Sequence, residues 1–409
     1  SGIQKLRTRI NLQYDTVLPF NTFDSAWQMR VAGYTFYDWA YLIHNRHDYS
    51  DAVLDDNEWE AEIQEFWVQG KLAENIDIRL GRQIVNWGRS DSLRVLDILN
   101  PLDSREPGLA DIEDLRLPVT LIKTDIYLDE WDLSLIALPE TRFSKYPSFG
   151  SDFSTVANPY APLSTFREKQ PQDIRDTSWA AGLTGIFSGW DISFHAARYW
   201  RDQPYLKPNF NPLLPLPTFN SSTLEHSRVT LIGTGGNYTL GSWLFKSELA
   251  YLDGVDHTTT TLFNLGLFIP GAGIVPFPND TTEKQQFDAL LGIEYYGFAD
   301  TTLSLEVANR HIVDYKNSLQ TSGVFRDNLE TALRYTRSLV NDRLNVTALG
   351  LMFGDHGQHG GLVRLSTEYD IRDALVLSGG VIYYDEGDTS PFTYIDKNDR
   401  VFAEVKYSF

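Results

Sequence analysis

Arg82, Arg89, Arg94, Arg105 and Arg116 are interleaved with Asp91, Asp97, Asp103, Glu106, Asp111, Glu113 and Asp114. Guanidinium and carboxylate groups at that density do one of two kinds of work. Held apart across a water-filled passage they set a transverse field that sorts solutes; folded against a wall they form an ion-pair network. The sequence alone leaves both open. No bond-breaking motif accompanies them: there is no Gly-x-Ser-x-Gly elbow, no His-Glu-x-x-His pair and no phosphate-binding loop. His356 and His359, in GDHGQHGG, have metal-like spacing but no third ligand nearby, so they read as a Gly-rich hairpin tip. The run Asp48, Asp51, Asp55, Asp56 and Glu58 lacks the glycine-hinged order of a calcium loop and reads as a solvated acidic loop. With no cysteine there is no thiol chemistry. The expectation is a protein that is not an enzyme and carries no metal and no cofactor.

The elements that must position these charges are strands. Aromatic residues make up 13% of the 409 residues, yet the apolar residues are spread through short segments with polar residues at alternate positions. That is the weak two-residue period of a barrel with an apolar outside and a wet inside. At the C-terminus Val401, Ala403, Val405, Tyr407 and Phe409 alternate with Phe402, Glu404, Lys406 and Ser408. One set suits lipid and the other a lumen. Val405, Tyr407 and the terminal Phe409 also resemble the assembly signal of outer-membrane barrels, which makes the barrel-assembly machinery an expected partner. No run approaches the roughly 18 to 20 apolar residues of a membrane helix, since Leu262 to Phe277 is broken by Asn264, Pro270 and glycines. Ser1-Gly2-Ile3 lacks a signal-peptide pattern, so the chain is expected in processed form.

The fold expected is therefore all-β: a transmembrane antiparallel β-barrel of about 18 strands (16 as the alternative), residues 1–409 forming one domain in the bacterial outer membrane. An even count follows if both termini lie at the periplasmic rim, and a turn near Phe36-Tyr37-Asp38 supplies the missing strand. The net charge of -20 argues against nucleic acid, whose phosphates it would repel, and suits acidic loops in a cation-bridged lipopolysaccharide layer. Membrane lipid and lipopolysaccharide are expected partners.

Long connections carry the specificity. Residues 202–225 and 255–283 are apolar where extracellular loops are normally polar. Leu213, Leu214, Leu216, Leu262, Phe263, Leu267, Phe268 and Phe277 could line an entrance for an apolar ligand, pack on one another, or meet a protein partner. Strand alternation through Ile76, Ile78 and Leu80 loses register near Gly81. Ser90 or Asp91 can then cap a short helix through Leu93, Val95, Leu96 and Leu99, ended by Asn100-Pro101. Such a helix would expose its leucines unless residues 89–116 fold inward as a constriction, with Arg82, Arg89, Asp91, Arg94, Asp97, Asp103, Arg105 and Glu106 facing the lumen.

The stretch LGRQIVNWGRSDSLRVLDILNPLDSREPG (80–108), the following LADIEDLRLP and the region after LIALPE resemble a poorly characterised group of proteobacterial outer-membrane proteins carrying a domain of unknown function. The specific likeness covers about residues 75 to 140. It implies a large barrel, often encoded near transporters of the resistance-nodulation-division type, with a periplasmic lipoprotein-like partner and an inner-membrane transporter as associates. The function expected is an outer-membrane channel for a small hydrophobic or amphipathic molecule. A diffusion porin for polar solutes and a structural partner in an envelope complex are the alternatives.

Overall fold

The computed structural model describes residues 2–154, 167–171, 173–208, 223–264, 274–389 and 392–409. The strands of the first half are β1 (Arg7–Thr22), β2 (Ser25–Asp38), β3 (Trp59–Ala73), β4 (Ile76–Gln83), β5 (Val119–Leu128), β6 (Trp131–Leu138), the short β7 (Arg167–Glu168), β8 (Ser178–Phe187) and β9 (Trp190–Trp200). There follow two short strands, β10 (Tyr205–Lys207) and β11 (Thr223–Glu225), then β12 (Arg228–Leu240), β13 (Trp243–Asn264), β14 (Ile274–Phe298) and β15 (Thr301–Ile312). Last come β16 (Asp327–Leu339), β17 (Leu344–Phe353), β18 (Gly361–Arg372), β19 (Leu375–Asp385) and β20 (Arg400–Tyr407). Apart from β7, β10 and β11, which make a three-stranded sheet of their own, each strand pairs antiparallel with its successor to give a seventeen-stranded sheet.

Tight turns and long connections alternate, which puts all the turns on one rim and all the long loops on the other. The turns are short because their residues accept left-handed backbone, as Asp24 (φ 56), Asn341 (φ 55) and Asp342 (φ 62) do. The first turn falls at Phe23-Asp24, not near Phe36-Tyr37-Asp38, where β2 runs on unbroken to Asp38. β1 therefore starts at the loop rim and descends, and β20 also descends, ending at the turn rim. The expectation of both termini at one rim does not hold for this sheet. No ladder joins β1 to β20 among the described residues. The sheet is nevertheless rolled up, because Glu106 takes Lys5 and Arg7 from one edge and Arg400 from the other.

The two faces differ as the strand period requires: Leu290 is 0% exposed and its neighbour Leu291 69%. Outward positions carry exposed aromatics and aliphatics such as Leu12, Tyr14, Phe194 and Tyr383, suited to lipid. Phe409, the terminal residue, is 98% exposed beyond this last strand. Inward positions hold a surprise. On β5, β6, β9 and β12–β14 many of them are apolar, including Leu121, Ile136, Tyr199, Leu231, Leu252 and Leu290, and all are buried. Something must cover them. No helix among the described residues is long and apolar enough to cross a membrane.

β13 and β14 differ from the rest in length, 22 and 25 residues. Their ladder continues from Val255↔Lys284 to Asn264↔Ile274, so most of the segment expected as a loop over 255–283 is an extended hairpin rising past the rim. The run Thr258–Thr261 explains this, since β-branched residues favour the pleated chain.

Candidate functional site

The cover over the apolar inner wall is the connection between β4 and β5, residues 84–118. It leaves the wall where the strand geometry fails at Gly81, whose φ of 122° and close approach to the Phe66 carbonyl leave no room for a side chain. Buried Asn100 ties the base of the loop together, accepting from Val85 N at 2.8 Å and donating to the Leu117 carbonyl at 2.9 Å. Between these points Val85, Trp87, Leu93, Val95, Leu96 and Leu99 are buried against the wall. Leu96 is 0% exposed and fills the room left by Gly233 and Gly235, where an added Cβ would lie 2.4 and 3.0 Å from its methyl carbons. Trp87 rests on the His195 ring at 4.7 Å between centroids. Burying one leucine of this kind contributes roughly 1.5 to 3 kcal/mol.

Two wall carboxylates hold the loop backbone. Glu248 on β13 accepts from the amides of Arg89, Ser90 (3.2 Å) and Leu96 (2.8 Å). Glu306 on β15 accepts from Ser90 Oγ (2.6 Å) and from the amides of Asp91 and Ser92, both at 3.1 Å. No helix forms over residues 91–99. Ser90 Oγ accepts from Leu93 N at 2.9 Å as a cap would, but the Leu96 amide, which a helix would bond to the Ser92 carbonyl, goes to Glu248 instead. The short helix of this loop is Ile112–Leu115 instead.

The loop then crosses the lumen. Arg310 on β15 donates to the Arg94 carbonyl at 2.9 Å, Arg364 on β18 to the Gly108 carbonyl at 3.0 Å, and Tyr384 on β19 to the Pro107 carbonyl at 2.6 Å. Asp111 pairs with Arg334 on β16 at 2.7 Å and with Arg364. Burial pushes the Asp111 carboxyl up, but the hydrogen bond from Arg334 and the charge of Arg364 outweigh it and hold it below the ordinary range. Glu106 is likewise held low, the charges of Lys5, Arg7 and Arg400 overcoming its burial.

The residues expected at a constriction are all in this network. Arg82, at the end of β4, pairs with Glu140 at 2.8 Å and Glu62 at 3.5 Å. Arg89 pairs with Asp191 at 2.9 Å, Asp91 with Lys246 at 2.7 Å, and Asp97 with both Arg94 (3.2 Å) and Arg116 (2.9 Å). Arg105 pairs with Asp103 at 2.6 Å and Glu60 at 2.8 Å. Asp91, Glu294 and Glu306 bring carboxylate oxygens within 4.8 Å of one another, and the Lys246 ammonium pairs with Asp91 and Glu294 and lies 4.0 Å from Glu306. That lysine sits where a cation would balance the cluster. His359 bonds Asp388 at 2.6 Å and stacks on Phe325, a tie between loops; His356 does not join it.

Sequence reasoning missed the wall's side of the site: Glu248, Glu306, Arg310, Arg334 and Arg364. The available signal was a charged residue on the inner face of several strands, which looks the same whether it meets water or a loop. Of the expected apolar entrance, Leu213, Leu214, Leu216, Leu267 and Phe268 lie outside the described residues. Leu262, Phe263 and Phe277 belong to the β13–β14 hairpin, paired with Pro276, Val275 and Thr261.

A family model described as "Protein of unknown function (DUF1302)" matches residues 4–409. No curated protein matches the chain. Among solved structures, OccAB3 of Acinetobacter baumannii is similar at 11% identity and a TM-score of 0.52, over 98% of this chain and 92% of its own. OpdL of Pseudomonas aeruginosa is similar at 12% identity and 0.46, over 98% and 92%. The outer membrane channel DcaP of A. baumannii is similar at 11% and 0.44, over 98% and 85%. The likeness is one of fold, the antiparallel barrel of outer-membrane channels.

Proposed function

The chain belongs to the DUF1302 family, and from that premise and the loop-filled barrel we propose an outer-membrane channel that passes a small hydrophobic or amphipathic molecule. One observation carries the reading: the lumen wall under the loop is apolar, through Leu121, Ile136, Leu231, Leu252 and Leu290. A pore for polar solutes has no use for such a wall, whereas a loop lifted from it would open an apolar corridor along β5–β14. The apolar sequence at the tip of the β13–β14 hairpin supports an approach from the loop rim.

A diffusion pore for polar solutes is the second reading. It is favoured by the opposite wall, where Arg310 pairs with Asp288 and Glu330 beside Arg334 and Arg364. Association with a periplasmic lipoprotein-like protein and an inner-membrane transporter is compatible with either. The two are separated by replacing Leu262, Phe263, Leu267 and Phe268 with Ser in protein reconstituted into liposomes. The proposal expects slower entry of a lipophilic fluorescent probe with ion conductance little changed. A large rise in conductance with no loss of probe entry would identify a polar pore gated by an apolar tip.

A further inference from the structure

The outward face of the barrel is largely apolar, and near the loop rim of β9 and β12 it carries two neighbouring arginines. Phe194 and Ile232 set the lipid-facing parity of β9 and β12, and Arg198 and Arg228 fall on the same parity. The ladder puts Trp179, Arg198 and Thr230 in one cross-strand row, and Trp200 and Arg228 in the next row toward the rim. The arginines are thus diagonal neighbours on adjacent strands, close enough for both to reach one ligand. Trp179 is 60% exposed, and Trp200 lies 5.1 Å under the Arg228 guanidinium. Tryptophans so placed mark the depth of the headgroups.

Neither arginine has a carboxylate within ion-pairing distance among the described residues, and the remaining segments contain no Asp or Glu at all. In a chain with 55 acidic and 35 basic residues, two adjacent arginines without an ion pair are positive charge left available to an external anion. Arg228 spends its hydrogen bonds on the carbonyls of Asp176 (2.7 Å) and Thr177 (2.6 Å) and on Ser178 Oγ (3.4 Å), which fixes its position, and the Asp176 carboxylate offsets its charge from beyond ion-pairing distance. Arg198 is exposed and donates from Nη1 to Thr230 Oγ1 at 2.6 Å, leaving the rest of its fork free. Asp253, the nearest outward carboxylate along the ladder, lies opposite Thr230 one strand further on and takes Gln285 at 3.1 Å.

We propose that Arg198 and Arg228 form a binding site on the lipid-facing wall for a headgroup phosphate of an outer-leaflet glycolipid. A dianionic phosphate bridging both guanidiniums relieves their mutual repulsion. The planar fork of Arg198 matches phosphate oxygens in a way an ammonium does not. Acyl chains of the same molecule would lie along Phe194 and Ile232 below. The site depends on the barrel spanning the membrane and not on what passes through the lumen.

The test uses the full chain, folded in detergent, titrated with bisphosphorylated lipid A and followed by native mass spectrometry. Arg198→Gln is expected to weaken retention roughly tenfold, the loss of charge-assisted hydrogen bonds to one phosphate, with Arg198→Lys in between. Heat-modifiability of each variant confirms that it is folded. The same lipid stripped of phosphate should bind wild type no better than the bisphosphorylated lipid binds the Gln variant. Equal retention by wild type and Arg198→Gln, or of lipid with and without phosphate, would overturn the proposal. Full displacement of the lipid by millimolar inorganic phosphate would also overturn it, by showing a site for the free anion.

Discussion

Single carboxylates decide whether the loop stays down. Glu306 receives two backbone amides and a hydroxyl from Ser90, Asp91 and Ser92, of which Ser92 is buried while the loop is seated. Glu306→Ala leaves the buried Ser92 amide unmet at about 1 to 3 kcal/mol and removes two further ties, which favours loop release. Single-channel recording should show larger or more frequent openings than wild type, and unchanged conductance would mean that the loop is held elsewhere. The ion pairs further along respond to acid. Glu106 and Asp111 both have folded pKa values below their ordinary 4.5 and 3.8. Their contribution is therefore fully present above about those values and is lost as pH falls through the lower, folded ones. Conductance should be flat from neutral pH down to about 5 and rise only below about 4; a rise near pH 6 would implicate other groups. The dense run of charges over residues 82–106 was legible in the sequence. Their partners were not, because a glutamate on a strand's inner face carries no mark of what it faces.

At the scale of elements, the strands were legible from alternation, and the loop from the break at Gly81 and the Asn100-Pro101 pair. The helix expected from a cap at Ser90 or Asp91 through Leu99 was a sound local reading: Ser90 accepts from Leu93 N as a cap would, but Glu248 takes the Leu96 amide that the next turn needs. The extended β13–β14 hairpin was obscured by its apolar content, which suggested loops packed together. What seats the loop is shape as much as charge, since Leu96 enters a pocket that exists because residues 233 and 235 lack side chains. Gly235→Val suits a strand but occupies that pocket, so it should lift the loop while the wall gives slightly at the Ser247 carbonyl, 3.2 Å from an added Cβ. The check is a cysteine placed at Arg94 in this cysteine-free chain. A bulky impermeant thiol reagent should label it slowly in the otherwise native protein and rapidly once Gly235→Val is added. Equal labelling in both backgrounds would mean that Leu96 does not anchor the segment.

The whole molecule is a barrel whose interior is partly a protein core. Alternation foretold the barrel, but a count of about eighteen could not say at which rim the first strand begins, because the position of one early turn decides it. The two edge strands have the signature of incomplete pairing: β1 is exposed on both faces over most of its length, and so is the lower part of β20. Hydrogen exchange should reveal it. Alternate amides of β1 and β20, those pointing away from β2 and β19, should exchange far faster than amides of β15, which is laddered on both sides. Uniform protection across all three would mean that β1 and β20 bond to each other.

That both edges descend has a consequence for assembly. Copies of the chain inserted by the same route share one orientation about the membrane normal, and a twofold axis along that normal preserves it. Two seams brought face to face would then offer only co-directional neighbours, β1 beside β1 or β1 beside β20. Such contacts have the slanted, slightly weaker bonding of a parallel pair. The seam is thus handed in the vertical sense: it can be completed in the alternating pattern of the rest of the wall by a single ascending segment, and never by a twin.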